Sequence, residues 1–168
     1  MIPTTNVENI SIIIYINNRA VRFTSAYCPR NNSSFIDDLN KITTTTSEFF
    51  VFGDLNAHHV SWNCYDNNTA GRKLYNHQLN SNYYIYSPNT FIRFGQRTTF
   101  TQPSVVDLLL TNSSLNISNL QTHPGLLKSD HVPVTCQIYG TVIERTTLVP
   151  LYNMANWNAI RHWVDNEL

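Results

Sequence analysis

Dense runs of lysine or arginine are missing from this 168-residue chain, in which 11 basic residues cancel 11 acidic ones. A generic electrostatic binder of nucleic acid would be more basic, so any such role must rest on a site or a local patch. A Cys-x-x-Cys pair is missing too. Cys28, Cys64 and Cys136 are far apart and odd in number, which points to reduced thiols and an intracellular setting. Met1-Ile2-Pro3-Thr4-Thr5 lacks the basic region and long apolar stretch of a signal peptide, and no apolar run approaches transmembrane length, so the chain reads as soluble, with no membrane partner. There is no internal repeat. What is present is 42% apolar and 12% aromatic residues, enough for the core of one globular domain.

The order of segments predicts an α/β domain. Ile10 to Ile16 is almost wholly apolar and β-branched, Asn17-Asn18 tolerates positive φ, and Ala20 to Tyr27 resumes extended character, a hairpin pattern. After Pro29, Ser33 or Ser34 can cap a helix whose Phe35, Leu39 and Ile42 recur at helical spacing. A buried strand follows at Phe49 to Phe52, then a polar loop with His58, His59 and Trp62. The loop histidines could contact DNA or metal, though surface-loop histidines are more often unspecialised, and Trp62 reads as a packing residue. A second helix is expected from Gly71, with Leu74, His77 or Gln78, and Leu79 facing inward. Strands are then predicted at Tyr83 to Tyr86, Thr98 to Thr101, Val105 to Leu110 and Val132 to Tyr139. Strands outnumber helices but helices intervene early, which predicts a layered α/β sandwich of two mixed β-sheets flanked by helices. From Tyr139 the character changes, and Asn153 to Leu168 reads as an amphipathic helix with Trp157, Ile160, Trp163 and Val164 on one face.

Three polar points interrupt the apolar strands. Gly53-Asp54-Leu55-Asn56 follows Glu48 to Phe52 without a break. Alternate residues of an extended chain project to one side, so Asp54 and Asn56 can hold a hard cation or a phosphoryl oxygen. An Asx turn bonding its own backbone accounts for the pair about equally well. Asp107 lies inside Ser104 to Leu110, where an unpartnered carboxylate would be costly, although it could also sit at an exposed edge bonded to backbone. Asp130 and His131 open the last strand. Asp107 is a plausible partner for His131: an acid on one ring nitrogen fixes the tautomer and leaves the other free to take a proton. Asp54, Asn56 and Asp130 would then bind metal or position water and phosphate, the parts that phosphoryl-group hydrolysis requires.

In order and approximate spacing, Gly53-Asp54-Leu55-Asn56, Val106-Asp107-Leu108 and Ser129-Asp130-His131 resemble the endonuclease/exonuclease/phosphatase superfamily, and Ala26-Tyr27-Cys28-Pro29 resembles its Tyr-x-Pro strand end. The Ala57-His58 continuation, Trp62, the Gly71 helix start and the Ser-x-x-Asp-Leu strand are most similar to the apurinic-type endonuclease domain of non-LTR retrotransposons of the jockey-like group. Asn156-Trp157 and the helix after it resemble the segment that leads to reverse transcriptase. The resemblance implies a DNase I-like fold over residues 1–140, with 141–168 as linker and helix leading toward a reverse transcriptase domain. It implies catalytic roles for His131, Asp107, Asp54, Asn56 and Tyr27, and Mg2+ (or Mn2+) on Asp130, Asp54 and Asn56. The implied reaction is nicking of one strand of DNA to prime reverse transcription, in the nucleus when chromosomal DNA is the target.

Family members carry an earlier Asn strand and a metal-binding Glu strand, whereas Glu8 is the only acid ahead of Tyr27 and does not match that position. The chain is therefore expected to be an N-terminally incomplete domain with an exposed sheet edge and weak or absent nuclease activity on its own. Two other readings stay open. One is a phosphatase or phosphodiesterase of the same superfamily acting on an inositol phosphate, nucleotide or lipid head group. The other is a nonenzymatic remnant that binds nucleic acid or a partner.

Overall fold

A computed structural model describes residues 2–30, 32–44, 48–92, 104–123 and 131–142. The predicted strand at 98–101, the terminal helix at 153–168 and Asp130 lie outside the described residues.

The amide-rich turn at Asn17-Asn18 explains the first hairpin. Both residues adopt positive φ, 51° and 63°, the backbone twist that a two-residue loop needs to match its strands. Strands β1 (Glu8–Ile16) and β2 (Arg19–Tyr27) accordingly pair antiparallel in unbroken register from Ile16↔Arg19 to Glu8↔Tyr27. Helix α1 (Phe35–Thr43) buries Phe35, Leu39 and Ile42, as the spacing predicts. Its cap differs from expectation. Ser34 occupies the position but makes no side-chain cap bond, because its hydroxyl faces Asn32 and Asp38 instead. Asp38 is buried, and its carboxylate accepts the backbone N–H groups of Thr5, Asn6 and Val7, tying the N-terminal segment to the helix.

Strand β3 (Glu48–Asp54) pairs parallel with β2 and antiparallel with β5 (Asp107–Thr111). Strand β4 (Tyr84–Tyr86) completes a mixed sheet of order β1-β2-β3-β5-β4. A second sheet joins β6 (Ile117–Thr122) to β7 (Val134–Ile138). This second sheet is antiparallel rather than mixed among the described residues, and β6 was not expected.

The central strand is apolar on both faces because both are covered. Phe49 and Val51 of β3, with Leu108 and Leu110 of β5, face a core closed by Phe35, Leu39, Ile42 and Leu74 of the helices. Phe50 and Leu109 face the opposite way, toward Ile117, Cys136 and Ile138 of the small sheet, with Phe23 and Phe50 stacked at 5.1 Å. The result is the expected layered α/β sandwich. Helix α2 (Thr69–Leu79) starts two residues before Gly71. Leu74 points inward as predicted, but Leu79 is 60% exposed, since it lies in the last turn beyond the core. The predicted strand from Val105 begins at Asp107, and that from Val132 at Val134.

Candidate active site

Antiparallel pairing of β3 with β5 sets Asp54 directly opposite Asp107. Like charges facing each other across a ladder are destabilising, so a sheet end that keeps two acids is organised around a positive group. The turn that presents Asp54 is dictated locally. Gly53 has φ +151°, and a Cβ there would lie 1.7 Å from the carbonyl oxygen of Ala26, so only glycine lets β2 and β3 approach this closely. Asn56 has φ 45°, a left-handed conformation that asparagine tolerates. Both readings of Gly53-Asp54-Leu55-Asn56 then hold together: Asp54 Oδ1 accepts the Asn56 N–H at 2.8 Å as an Asx turn, while Oδ2 faces His131.

His131 Nδ1 lies 3.0 Å from Asp107 Oδ2, and Nε2 lies 3.8 Å from Asp54 Oδ2. Asp107 as acceptor fixes the Nδ1–H tautomer, which turns the Nε2 lone pair toward a second carboxylate. A cation between the two groups would satisfy both. The backbone next to His131 is anchored, since the Val132 N–H donates to the Ile92 carbonyl at 2.7 Å. All three side chains are partly open, at 17%, 24% and 25% exposure for Asp54, Asp107 and His131. A mostly apolar cavity of about 80 Å³ between the two sheets includes Asp107 in its lining. Ligand atoms of Asp54, Asp107 and His131 all lie within 4.8 Å of one another. This donor set, mostly carboxylate oxygen and open to water, suits a hard divalent cation.

The other expected residues divide. Asn56 is buried at the site, its Nδ2 donating to the Cys28 carbonyl at 2.9 Å and to Asp54 at 3.3 Å. Tyr27 stands at the end of β2, one residue before Cys28, whose N–H donates to the Asp54 carbonyl at 2.8 Å. Tyr27 is 43% exposed. His58 lies 3.2 Å from Asp66, outside the site. His59 is buried against Tyr75 and Trp62 and accepts the Ser61 N–H, a packing role that lowers its pKa through burial first and Arg72 second. Trp62 is buried, donating to the Ala57 carbonyl at 2.9 Å. All three cysteines are free, and burial raises the pKa of each thiol.

Two residues that sequence reasoning missed complete the surroundings. Asn68 caps α2 by accepting the Gly71 N–H at 2.7 Å, accepts the His58 N–H at 3.0 Å, and donates to the Asn56 carbonyl at 2.8 Å. It fastens the loop to the Asn56 turn; the signal was an Asn three residues before a helical Gly. Arg30 Nε donates to Asn56 Oδ1 at 3.3 Å. A cation just past the Tyr-x-Pro end of a strand was the available clue.

Comparison with known proteins identifies the fold and the family. No curated protein matches the chain. The endonuclease domain of TRAS1, a telomere-specific non-LTR retrotransposon, superposes with a TM-score of 0.67 at 17% identity, covering 77% of this chain and 61% of that domain. An endonuclease/exonuclease/phosphatase family protein from Leptotrichia buccalis gives 0.53 at 12% identity, covering 78% and 53%. These likenesses establish the fold, and the chain spans less than two thirds of either structure. The model of a family described as endonuclease-reverse transcriptase matches residues 21–135, more than half the chain and inclusive of Tyr27, Asp54, Asn56, Asp107 and His131. The chain therefore belongs to the endonuclease-reverse transcriptase family, within the endonuclease/exonuclease/phosphatase superfamily.

Proposed function

We propose that the chain hydrolyses phosphodiester bonds in DNA, nicking one strand so that its end primes reverse transcription of a non-LTR element. The observation that carries this reading is the opposed Asp54–Asp107 pair with His131 between them.

In this reading His131 takes the proton of the attacking water at Nε2. Asp107, bonded to Nδ1, holds the ring in the required tautomer and stabilises the imidazolium that forms. Water attacks phosphorus, the P–O bond to one ester oxygen breaks, and that oxygen leaves as an alkoxide that takes a proton from solvent, while the His131 imidazolium returns its proton to solvent. Asp54 and Asp130 would hold Mg2+ or Mn2+. When bound, that cation supplies positive charge to the phosphoryl oxygens and acidifies water. Asn56, with its oxygen turned to Arg30 and its NH2 to Asp54 and Cys28, orients Asp54. Tyr27 lies beside the scissile phosphate. A reverse transcriptase domain would use the nicked end, and chromosomal targets place the reaction in the nucleus.

Supercoiled plasmid with Mg2+ or Mn2+ should convert to open circle, and Asp54→Ala and His131→Ala should each abolish conversion. Cleavage that persists in both variants, or in chelator, overturns the proposal.

A further inference from the structure

Four contacts run in a line through the site: Arg30 to Asn56, Asn56 to Asp54, Asp54 to His131, and His131 to Asp107, with Asn56 also fixed to the Cys28 carbonyl. Arg30 terminates that line and is its one permanent cation. We propose that Arg30 is the residue that grips the DNA backbone at this site, binding a non-bridging phosphate oxygen through its terminal N–H groups while its Nε holds the Asn56 amide in orientation. This rests on the phosphodiesterase reading above and adds to it a substrate-binding group.

The contrast with the other described arginines supports it. Arg19 bonds Glu48 and Ser114, Arg22 bonds the Ile42 carbonyl at the end of α1, Arg72 bonds the Asn67 carbonyl, and Lys41 pairs with Asp38. Each is committed to the fold. Arg30 spends only Nε, on a residue of the site, and its two terminal nitrogens bond no other described residue. A guanidinium tethered at Nε presents the remaining edge as a planar fork, the geometry that matches two phosphate oxygens.

Its placement is also fixed from behind. Cys28 is buried, its N–H bonded to the Asp54 carbonyl and its carbonyl to Asn56, and Pro29 restricts the backbone before Arg30. Arg30 itself is exposed. An anionic substrate meeting Asp54 and Asp107 needs positive charge that does not depend on a dissociable ion, and the guanidinium meets that need at neutral pH.

The test is duplex binding by fluorescence anisotropy, with Ca2+ in place of Mg2+, across a salt series, beside plasmid nicking of the same full chain. Arg30→Gln should weaken duplex binding about tenfold and lower the slope of log affinity against log salt by about one. Arg30→Lys keeps the charge but not the Nε bond, so it should restore the slope while kcat for nicking stays reduced. Circular dichroism of both variants should match the parent chain, as the side chain is exposed. Unchanged affinity and slope in Arg30→Gln overturn the proposal whether or not the parent nicks DNA. A parent that binds DNA through Arg30 but never nicks it overturns the reaction and leaves the grip standing. Absence of any duplex binding by the parent overturns both.

Discussion

Asp38 is fully buried in α1, where burial pushes its pKa up, yet the N–H groups of Asn6, Thr5 and Val7 and the Lys41 ammonium outweigh that and hold it down at about 2. The folded value lies below the unfolded one, so the carboxylate adds stability above about pH 4 that is lost as pH falls toward 2. Asp38→Asn should cost roughly 2–3 kcal/mol at pH 7, read as a lower midpoint in urea, and the gap to the parent should close near pH 2. His59 and His77 act at higher pH. Burial lowers both pKa values, so the folded state disfavours their protonation, and stability should begin to fall below about pH 6.5. None of this was legible in the sequence. Asp38 reads there as an acid in a first helical turn, and its partners lie 31 to 33 positions away. Asp54 and Asn56 were legible because two of their bonds are to each other.

At the level of elements, hydrophobic spacing placed α1 and the first hairpin, and it failed where a cap or a distant partner decides. Helix α2 was expected to begin at Gly71 because glycine marks a boundary, but Asn68 is the cap. Gly71 is required for a different reason: a Cβ there would lie 1.7 Å from the His58 carbonyl oxygen, so the first turn of α2 packs directly against the loop. Asn68→Ala removes the cap and both loop bonds at once. We expect a loss of about 1–2 kcal/mol, measured by thermal melting, together with a larger proportional fall in nicking rate than in duplex binding, because Asn68 holds the Asn56 carbonyl. The register that opposes Asp54 and Asp107 was beyond sequence reasoning, since ladder pairing between residues more than fifty apart is set by the packing of both sheet faces. The pairing of His131 with Asp107 could be anticipated from chemistry alone, as a histidine and an otherwise unsatisfied acid.

Across the whole molecule, helices cover one face of the five-stranded sheet and the small sheet covers the other, so the strand ends are the surface left for chemistry. That arrangement makes β3 serve two purposes. Its middle, Phe49 to Phe52, supplies apolar surface to both cores, and its last residue enters the polar site. The opposed acids at that end carry a thermodynamic consequence: neutralising one of them should raise the stability of the ion-free domain. Asp54→Asn retains an oxygen for the Asn56 N–H and removes the repulsion with Asp107. This variant should melt above the parent in chelator by an amount equivalent to about 0.5–1 kcal/mol, a few degrees for a chain of this size. Mg2+ should raise the melting temperature of the parent while leaving Asp54→Asn nearly unmoved, so the two curves converge as the cation is added. A heat ramp could thus report divalent-ion occupancy without any nucleic acid in the tube.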